Sequence, residues 1–250
     1  MKKSLQKSTQ PSISIGTRNE GSLHASVKQW YAHKGDVLEV KVDGSIIDLQ
    51  RGKLLIEIQT RNFSAIRDKL KRLVQKHKLM LVYPIPQIKW ITRLDKDGIT
   101  VISRRKSPKT GDVTDLFDEL LRIPTLINEP NFWLEVLLIE SEEIRCMDGK
   151  GSWRRQGVSI QDRKLIRVIK KYRFKHKDDF LHLLPPDIPQ PFTNKSLAKA
   201  MKLSVYKIRR LTYTLRKMGL LDMSGKQGNQ IEYKIVASSG KTKPSPANSK

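Results

Sequence analysis

The sequence predicts an α/β fold with a mixed sheet, followed by a smaller second domain built on a helix pair and a hairpin. Two helical patterns enclose three short strand patterns in the first third of the chain, and an apolar run follows the second helix. Near the C-terminus, two further amphipathic patterns precede a glycine-rich hairpin. The length of 250 residues suits one or two domains, at about 100–200 residues each.

The first elements are a helix and an antiparallel meander. Asn19 is a candidate cap for the helix, whose residues Leu23, Val27 and Tyr31 share one face. Alternation of apolar and polar residues then predicts strands over residues 37–42, 45–50 and 53–60. Asp43–Gly44 is a strong hairpin signal between the first two strands.

A second helix and a buried strand follow. Apolar residues at helical spacing run from Phe63 to Val74. The apolar run at 79–83 predicts a strand parallel to its neighbour, because a helix separates the two. Residues 88–94 and 99–103 predict another hairpin. The remaining elements are a basic loop over 104–112, a short helix over 114–121 and a strand over 133–139.

Composition shifts and prolines divide the chain into five predicted segments. The prolines between residues 185 and 191 mark a connection between two folded parts. The segments are a disordered basic lead-in over 1–18, an α/β domain over 19–150, a connecting segment over 151–190, a helical module over 191–237 and a disordered tail over 238–250.

The charge balance indicates a polyanionic partner. The 49 Lys and Arg residues exceed the 25 Asp and Glu residues, which gives a net charge of +24. DNA is the first expectation and RNA the second. The single cysteine excludes a disulfide framework and a cysteine-rich zinc site. No apolar stretch is long enough for a membrane span or a signal peptide, so we expect no membrane partner and a cytoplasmic or nucleoid-associated protein.

Two carboxylates stand among aliphatic strand residues. Asp48 lies on the second strand, and Glu57 lies on the third strand within Leu-Leu-Ile-Glu-Ile-Gln. A charged group in such a position is costly unless it is paired or binds a metal. Adjacent strands can bring both carboxylates together, and Mg²⁺ prefers such oxygen ligands. Gln59 projects to the same face as Glu57.

These residues also have simpler interpretations. Glu57 can be a solvent-facing carboxylate that pairs with Lys41 or Lys53. Asp48 can be a residue that serves the following turn. His24 can be a surface histidine, or it can assist a metal site.

The order Glu20 on the first helix, Asp48 on a hairpin and Glu57-Ile58-Gln59 on the next strand resembles the PD-(D/E)xK nuclease core over residues 18–90. That resemblance implies a restriction endonuclease-like, mixed-sheet fold. It implies that Asp48 and Glu57 bind Mg²⁺ (or Mn²⁺) and that Glu20 completes the catalytic set. Glu20 can alternatively serve only as a charge at the helix N-terminus. Many nucleases of this kind act as dimers, so a homodimer is one expected state.

Gln59 departs from the family pattern, because it stands at the position of the catalytic lysine. Glutamine donates and accepts hydrogen bonds but carries no charge. Lys69 or Lys76 on the following helix can supply that charge instead. The Ile58 carbonyl is a further ligand that the resemblance implies.

Residues 192–235 resemble a winged helix-turn-helix domain, because two amphipathic helices, a tight turn and a glycine-rich hairpin follow one another in order. In that family the second helix enters the major groove. The residues expected to contact nucleic acid are Tyr206, Lys207, Arg209, Arg210, Arg216 and Lys226. A winged helix used for protein contacts is the alternative.

The basic loop supplies the last candidate contacts. Arg104, Arg105, Lys106 and Lys109 are expected to bind phosphates, unless the loop is simply solvated. We therefore predict a metal-dependent DNA endonuclease or a nuclease-like DNA-processing protein, targeted by a winged helix. The alternatives are a catalytically inactive nuclease-fold DNA-binding protein, of the kind that regulates transcription, and an RNA-processing partner.

Overall fold

The computed structural model describes residues 22–236. The helices are α1 (Ser22–Tyr31), α2 (Phe63–Val74), α3 (Phe117–Leu120), α4 (Asn194–Met201) and α5 (Val205–Lys217). The strands are β1 (Val37–Val42), β2 (Ser45–Arg51), β3 (Leu54–Ile58), β4 (Lys78–Leu94), β5 (Val101–Lys106), β6 (Phe132–Cys146), β7 (Ser159–Phe174), β8 (Phe192–Thr193), β9 (Leu221–Gln227) and β10 (Gln230–Ile235). The predicted lead-in, the predicted tail, Asn19 and Glu20 lie outside the described residues.

A seven-stranded mixed sheet forms the larger part of the molecule. Its order is β1-β2-β3-β4-β6-β7, and β5 pairs with the last five residues of β4. The first three strands form an antiparallel meander. Strand β3 runs parallel to β4, with Leu55 opposite Leu79 and Ile58 opposite Val82, which confirms the parallel strand predicted from the apolar run. Strands β4 and β6 are also parallel, whereas β6 and β7 are antiparallel.

Helices α1 and α2 cover opposite faces of this sheet. Val27 of α1 packs with Ile56 and Ile58 of β3 in one cluster of buried residues. Phe63 of α2 packs with Leu55 in a second cluster, which also includes Leu79 and Leu81 of β4. The alternation along β3 therefore places each helix on its own side of the sheet.

The C-terminal module has its own small sheet but shares the larger hydrophobic core. Strands β8, β10 and β9 form a three-stranded antiparallel sheet beside α4 and α5. Thr193 caps α4, because its Oγ1 accepts a hydrogen bond from Ser196 N at 3.2 Å. Leu211 and Leu215 of α5 belong to the same buried cluster as Phe117, so the module packs directly on the larger part of the chain.

Several strands differ from the predicted ones. Strand β4 is a single strand of 17 residues that passes through Pro84 and Pro86, where two strands were predicted. Strand β6 continues to Cys146, seven residues beyond the predicted end at residue 139. Arg104, Arg105 and Lys106 belong to β5, whereas a loop was predicted for them. Strand β7 lies inside residues 151–190, which were predicted as a connecting segment.

Charged pairs explain why the full lengths of β6 and β7 were not predicted. Glu140 of β6 accepts a bond from Arg167 Nε of β7 at 2.7 Å, and Glu143 of β6 pairs with Arg163 of β7 at 3.0 Å. Such cross-strand ion pairs occupy positions where a prediction from hydrophobic alternation expects apolar residues. No helix among residues 22–236 is long and apolar enough to cross a membrane.

Candidate functional site

Strand β2 loses its regular alternation at Asp48. Ile47 packs in the buried cluster that contains α2, whereas Leu49 packs in the cluster that contains α1. A regular strand places residues i and i+2 on the same face. Glu39 of β1 lies between the two residues that pair with Leu49 and Ile47, and its φ of 53° is left-handed. The sheet is therefore distorted at Asp48.

The Asp48 side chain takes over hydrogen bonding between β2 and β3. Asp48 Oδ2 accepts a bond from Ile58 N at 2.7 Å, beyond the last paired residues, Leu49 and Ile56. His24 Nε2 on α1 lies 3.2 Å from the same carboxylate oxygen and 2.9 Å from the Ile58 carbonyl oxygen. Because both of those oxygens are acceptors, Nε2 carries the hydrogen. Asp48 is thus a fixed part of the strand junction and not a residue of the following turn.

Glu57 faces α2 and is only 6% exposed. Lys69 Nζ donates to Glu57 Oε1 at 2.7 Å and to the Ile46 carbonyl oxygen at 2.6 Å. The solvent-facing pair with Lys41 or Lys53 is therefore wrong: a lysine of α2 partners this carboxylate.

The second oxygen of Glu57 has different surroundings. Oε2 is buried and has no hydrogen-bond partner among residues 22–236. Burial and the Asp48 carboxylate raise the pKa of Glu57 to about 7, although Lys69 opposes the shift. A buried, unpartnered carboxylate oxygen is costly, and a bound cation or proton relieves that cost.

The oxygen atoms of Asp48, Glu57 and Ile58 are of the kind that a small, hard cation prefers. Asp48 and Glu57 offer carboxylate oxygens, and Ile58, the residue after Glu57, offers a carbonyl oxygen. Mg²⁺ is commonly held by one or two carboxylates, with water and phosphate in the other positions. Within the described part of the chain, no three His, Cys, Asp or Glu residues are grouped to hold a metal. The described residues thus supply two carboxylates and a carbonyl, and Glu20 lies outside them.

Of the two lysines that the sequence offered in place of Gln59, Lys69 lies beside Glu57. Gln59 Nε2 donates to the Arg61 carbonyl oxygen at 2.5 Å and lies 3.4 Å from the Asn62 carbonyl oxygen, so its amide is bound to the turn before α2. Lys69, not Gln59, contacts Glu57. Lys76 lines a different cleft from the one that contains Asp48.

A cleft of about 990 Å³ opens over the Asp48 side of the sheet. Its walls come from α1, from the turn after β3, from the prolines of β4 and from the start of β7. The residues of interest that line it are His24, Asp48, Gln59, Arg61, Asp162 and Arg163. Asp48 is therefore accessible to a ligand, while Glu57 lies beneath the floor beside α2.

Part of the basic face of helix α5 lies against the segment around α3, in the larger part of the chain. Lys207 Nζ forms an ion pair with Asp115, and Arg210 Nη1 lies 2.5 Å from Asp118 Oδ1. The Arg210 guanidinium also stacks over the Tyr206 ring, 4.2 Å from its centre. Lys207 and Arg210 therefore lie at the contact between the two parts of the chain, and Tyr206 lies beside Arg210.

Other predicted contact residues lie farther along the module. Arg209 and Lys226 are exposed, and Arg216 is half-buried. Two residues that the sequence analysis did not select, Tyr213 and Lys217, are also exposed on α5. Arg209, Tyr213 and Lys217 follow one another at intervals of four residues. This spacing would have identified them as neighbours on one helical face.

Strand β5 carries the residues predicted as a basic loop. Arg104 is committed to the sheet, because it lies 4.3 Å from the Trp90 ring centre and 2.8 Å from Glu142 Oε1. Arg105 and Lys106 on β5 are exposed, as is Lys109 in the loop that follows.

A buried ionic cluster was missed altogether. Glu135 of β6 is only 1% exposed; Tyr31 of α1 donates to one of its oxygens at 2.8 Å, and Arg173 of β7 donates to the other at 2.6 Å. Burial and the nearby Glu135 carboxylate raise the pKa of Tyr31. The sequence holds no signal for this cluster, since its members are separated by 104 and 38 positions.

Comparisons with known proteins relate the chain to a family and to a bacterial protein. A family model described as "Domain of unknown function (DUF8091)" matches residues 21–175. The match starts beside α1 and ends one residue after β7, so it spans the seven-stranded sheet. An uncharacterized protein of Treponema pallidum (strain Nichols) is 32% identical over 188 residues, which are 75% of this chain and 74% of that protein. No solved structure matches.

Proposed function

Because the chain belongs to the family described as Domain of unknown function (DUF8091), whose description names no activity, we propose a function from the site itself. The protein is a divalent-metal-dependent nuclease that hydrolyses phosphodiester bonds, with DNA as its first substrate class. The observation that carries the proposal is the buried Glu57 oxygen without a partner, beside a second carboxylate on the adjacent strand.

The order of elements supports the same proposal. A helix, an antiparallel three-stranded meander, a second helix and a strand parallel to β3 follow one another from α1 to β4. The resemblance to the PD-(D/E)xK core implies this order. It also implies an Asp at a strand end, and Asp48 stands where the pairing of β2 with β3 ends. Since one fold can host many functions, the two carboxylates and not the fold support the nuclease proposal.

Each described residue has a defined task in this proposal. Asp48, Glu57 and the Ile58 carbonyl would hold Mg²⁺ or Mn²⁺, which supplies a water of lowered pKa and neutralises charge on the phosphodiester. His24 holds Asp48 and the Ile58 carbonyl oxygen in one orientation through Nε2. Lys69 places a positive charge next to Glu57, where the uncharged Gln59 supplies none.

The C-terminal module is proposed to bring the nuclease to duplex DNA. A short strand, two helices and a hairpin follow in the order of a winged helix, which supports that assignment. The exposed face of α5 presents Arg209, Tyr213 and Lys217. These side chains suit phosphate contact and stacking. Binding should weaken steeply with salt, since each neutralised duplex phosphate contributes about −0.9 to the slope of log K against log salt.

The test is a cleavage assay in Mg²⁺ or Mn²⁺ on plasmid, single-stranded and branched DNA. We expect D48N and E57Q to lose activity. Loss of residues that only support a metal ligand already costs about 10–100-fold, and loss of a ligand should cost more. Asp68→Asn is the matched control, because Asp68 is a carboxylate on α2 whose side chain is 84% exposed. Cleavage by D48N and E57Q at the wild-type rate would contradict the assignment.

A second candidate function is a nuclease-fold protein that binds DNA without cutting it. The ion pair between Lys69 and Glu57 favours this candidate, because it satisfies one carboxylate oxygen without any metal. Binding that EDTA leaves unchanged, together with no cleavage of any of the three substrates, would support it. Competition with structured RNA in the same binding assay decides between DNA and RNA as the preferred polyanion.

A further inference from the structure

The loop between β6 and β7 presents an aromatic side chain to solvent. The loop covers residues 147–158, and Trp153 in it is 82% exposed. Arg154 and Arg155 follow Trp153, and the Arg154 guanidinium lies 5.5 Å from the Trp153 ring centre. An indole in water is unfavourable unless a partner covers it, because the hydrophobic effect favours burial of its surface.

The loop is built so that Trp153 points outward. Gly151 N donates to the Gly157 carbonyl oxygen at 2.8 Å, which closes the base of the loop. Arg155 Nε donates to the Val158 carbonyl oxygen at 3.1 Å. A Cβ atom at Gly151 would lie 1.9 Å from that carbonyl oxygen, so only glycine fits there. Hydrogen bonds therefore hold the base of the loop that carries the exposed indole.

The other tryptophans have structural partners. Lys171 lies over the Trp30 ring at 4.8 Å, and Lys175 lies over the Trp133 ring at 5.1 Å. Trp90 donates to Glu140 Oε1 at 2.7 Å and carries Arg104 on its ring. Trp153 is far more exposed than these tryptophans, and the fold gains little from it.

The loop precedes the part of β7 that lines the cleft containing Asp48. It ends at Val158, and Ile160 to Arg163 on β7 line that cleft. Strands advance about 3.3 Å per residue, so the loop base is within roughly 20 Å of Arg163 along β7. A chain of nucleotides that leaves the cleft along β7 would reach the loop.

We propose that this loop is a nucleic-acid contact in which Trp153 stacks on an unpaired base while Arg154 and Arg155 bind the flanking phosphates. The inference rests on the proposed function and names its substrate class: single strands, or duplexes with a frayed end or a junction. Stacking on an aromatic side chain needs a base face that its neighbours leave free. Lys150 adds a further cation at the same tip.

An anionic membrane is the competing occupant. The neighbouring β4–β5 turn exposes Ile99 at 81%, and Val101 and Ile102 on β5 are also exposed. The tips of the two hairpins, the β4–β5 turn and the β6–β7 loop, therefore offer apolar side chains together with cations. The two tips adjoin, because Met147 N donates to the Leu94 carbonyl oxygen at 3.4 Å. We favour nucleic acid, because the loop continues into the wall of the cleft that holds Asp48.

The test measures binding of the full chain in EDTA, where no metal-dependent cleavage occurs. The probes are a fluorescein-labelled single strand, a strand of equal length with abasic sites in place of its bases, a blunt duplex, and vesicles of phosphatidylglycerol. The variants are W153A, W153F and I99A, and circular dichroism verifies that each one is folded. I99A is the matched control, since Ile99 is equally exposed on the adjacent tip but cannot stack.

We expect W153A to weaken binding to the single strand by roughly 10-fold or more, since stacking by one aromatic side chain contributes about that much. W153F should keep most of the affinity, and I99A all of it. W153A should change binding to the abasic strand and the blunt duplex by less than about twofold.

Three results would overturn the inference. The first is equal loss by W153A on all three nucleic acids, or no loss on any. The second is loss of vesicle binding by W153A with unchanged oligonucleotide affinity. The third is failure of the wild type to bind nucleic acid, which removes the proposed function as well. Stacking by Trp153 with full cleavage by D48N and E57Q would instead leave the inference standing and remove the metal site.

Discussion

Lys69 Nζ lies 2.7 Å from Glu57 Oε1, and it reaches this carboxylate from the second turn of α2. The contact joins the helix to the strand that carries the second candidate metal ligand. It also places a cation where Gln59, bound to its own turn, supplies none. The cation beside Glu57 therefore comes from a helix position that a strand motif does not specify.

Replacing Lys69 tests that relationship. We expect K69Q to lose cleavage, because Glu57 loses its cation and is left in an apolar site. K69R should retain part of the activity, since it keeps the charge but not the geometry. Lys71→Gln is the control, because Lys71 is an exposed lysine of the same helix. A K69Q variant that is folded and cleaves like the wild type would show that Lys69 has only a structural role.

The pKa of Glu57 predicts how stability depends on pH in metal-free buffer. Because the folded-state value is about 7 and the ordinary value is 4.5, the folded state binds the proton more tightly. The free energy of unfolding should therefore fall as pH rises from about 4.5 to 7, by on the order of 3 kcal/mol from this group.

The measurement is urea denaturation in EDTA at several pH values, with E57Q as the comparison. E57Q removes the titrating group, so the difference between wild type and variant should change across this window and stay constant below it. A pH-independent difference would show that Glu57 is already ionised in the folded protein.

The contact between α5 and the acidic residues near α3 predicts a gain in affinity. Lys207 and Arg210 are engaged by Asp115 and Asp118. Partly exposed ion pairs contribute about 0.2–1 kcal/mol each, so their removal leaves the fold intact. D115N with D118N should free two cations and tighten binding to duplex DNA by roughly 2–10-fold.

A salt titration by fluorescence anisotropy checks this prediction. The slope of log K against log salt should become steeper by about 0.9 for each cation that reaches a phosphate. Asp68→Asn, which removes an exposed acid elsewhere on the first domain, should change neither quantity by as much. Unchanged affinity and slope in the double variant would mean that Lys207 and Arg210 do not meet DNA even when released.

The buried cluster around Glu135 should be important for stability and unimportant for chemistry. R173Q leaves Glu135 as a buried carboxylate with only Tyr31 beside it, so we expect a loss of about 3 kcal/mol. Y31F removes one hydrogen bond to a charged group and should cost less, about 1.5–3 kcal/mol. Chemical denaturation measures both. Equal stability of R173Q and wild type would show that the Glu135–Arg173 pair contributes nothing to the fold.

Local patterns predicted the elements that hold the candidate site, and long-range contacts decided the rest. The turn at Asp43–Gly44 and the apolar run at 79–83 were enough to order the strands around Asp48 and Glu57. The hydrogen bond from His24 to the Ile58 carbonyl could not be predicted from the sequence, because it depends on the distortion of β2.

In the C-terminal module, too, local patterns predicted the elements but not their long-range contacts. Helix α5 and its last turn were predictable from leucine spacing and from Gly219, whose φ is +75°. Lys207 and Arg210 were expected to face nucleic acid, because an amphipathic pattern shows which face is polar but not what lies opposite it. Their partners stand 92 positions earlier in the chain, where no sequence periodicity connects the two segments.

The most direct test of the metal site is titration of the metal-free chain with Mn²⁺ by calorimetry. We expect the wild type to bind Mn²⁺ and both D48N and E57Q to abolish the binding, while Asp68→Asn leaves it unchanged. Binding of Mn²⁺ to D48N and E57Q with wild-type affinity would contradict the claim that these two carboxylates hold the catalytic ion.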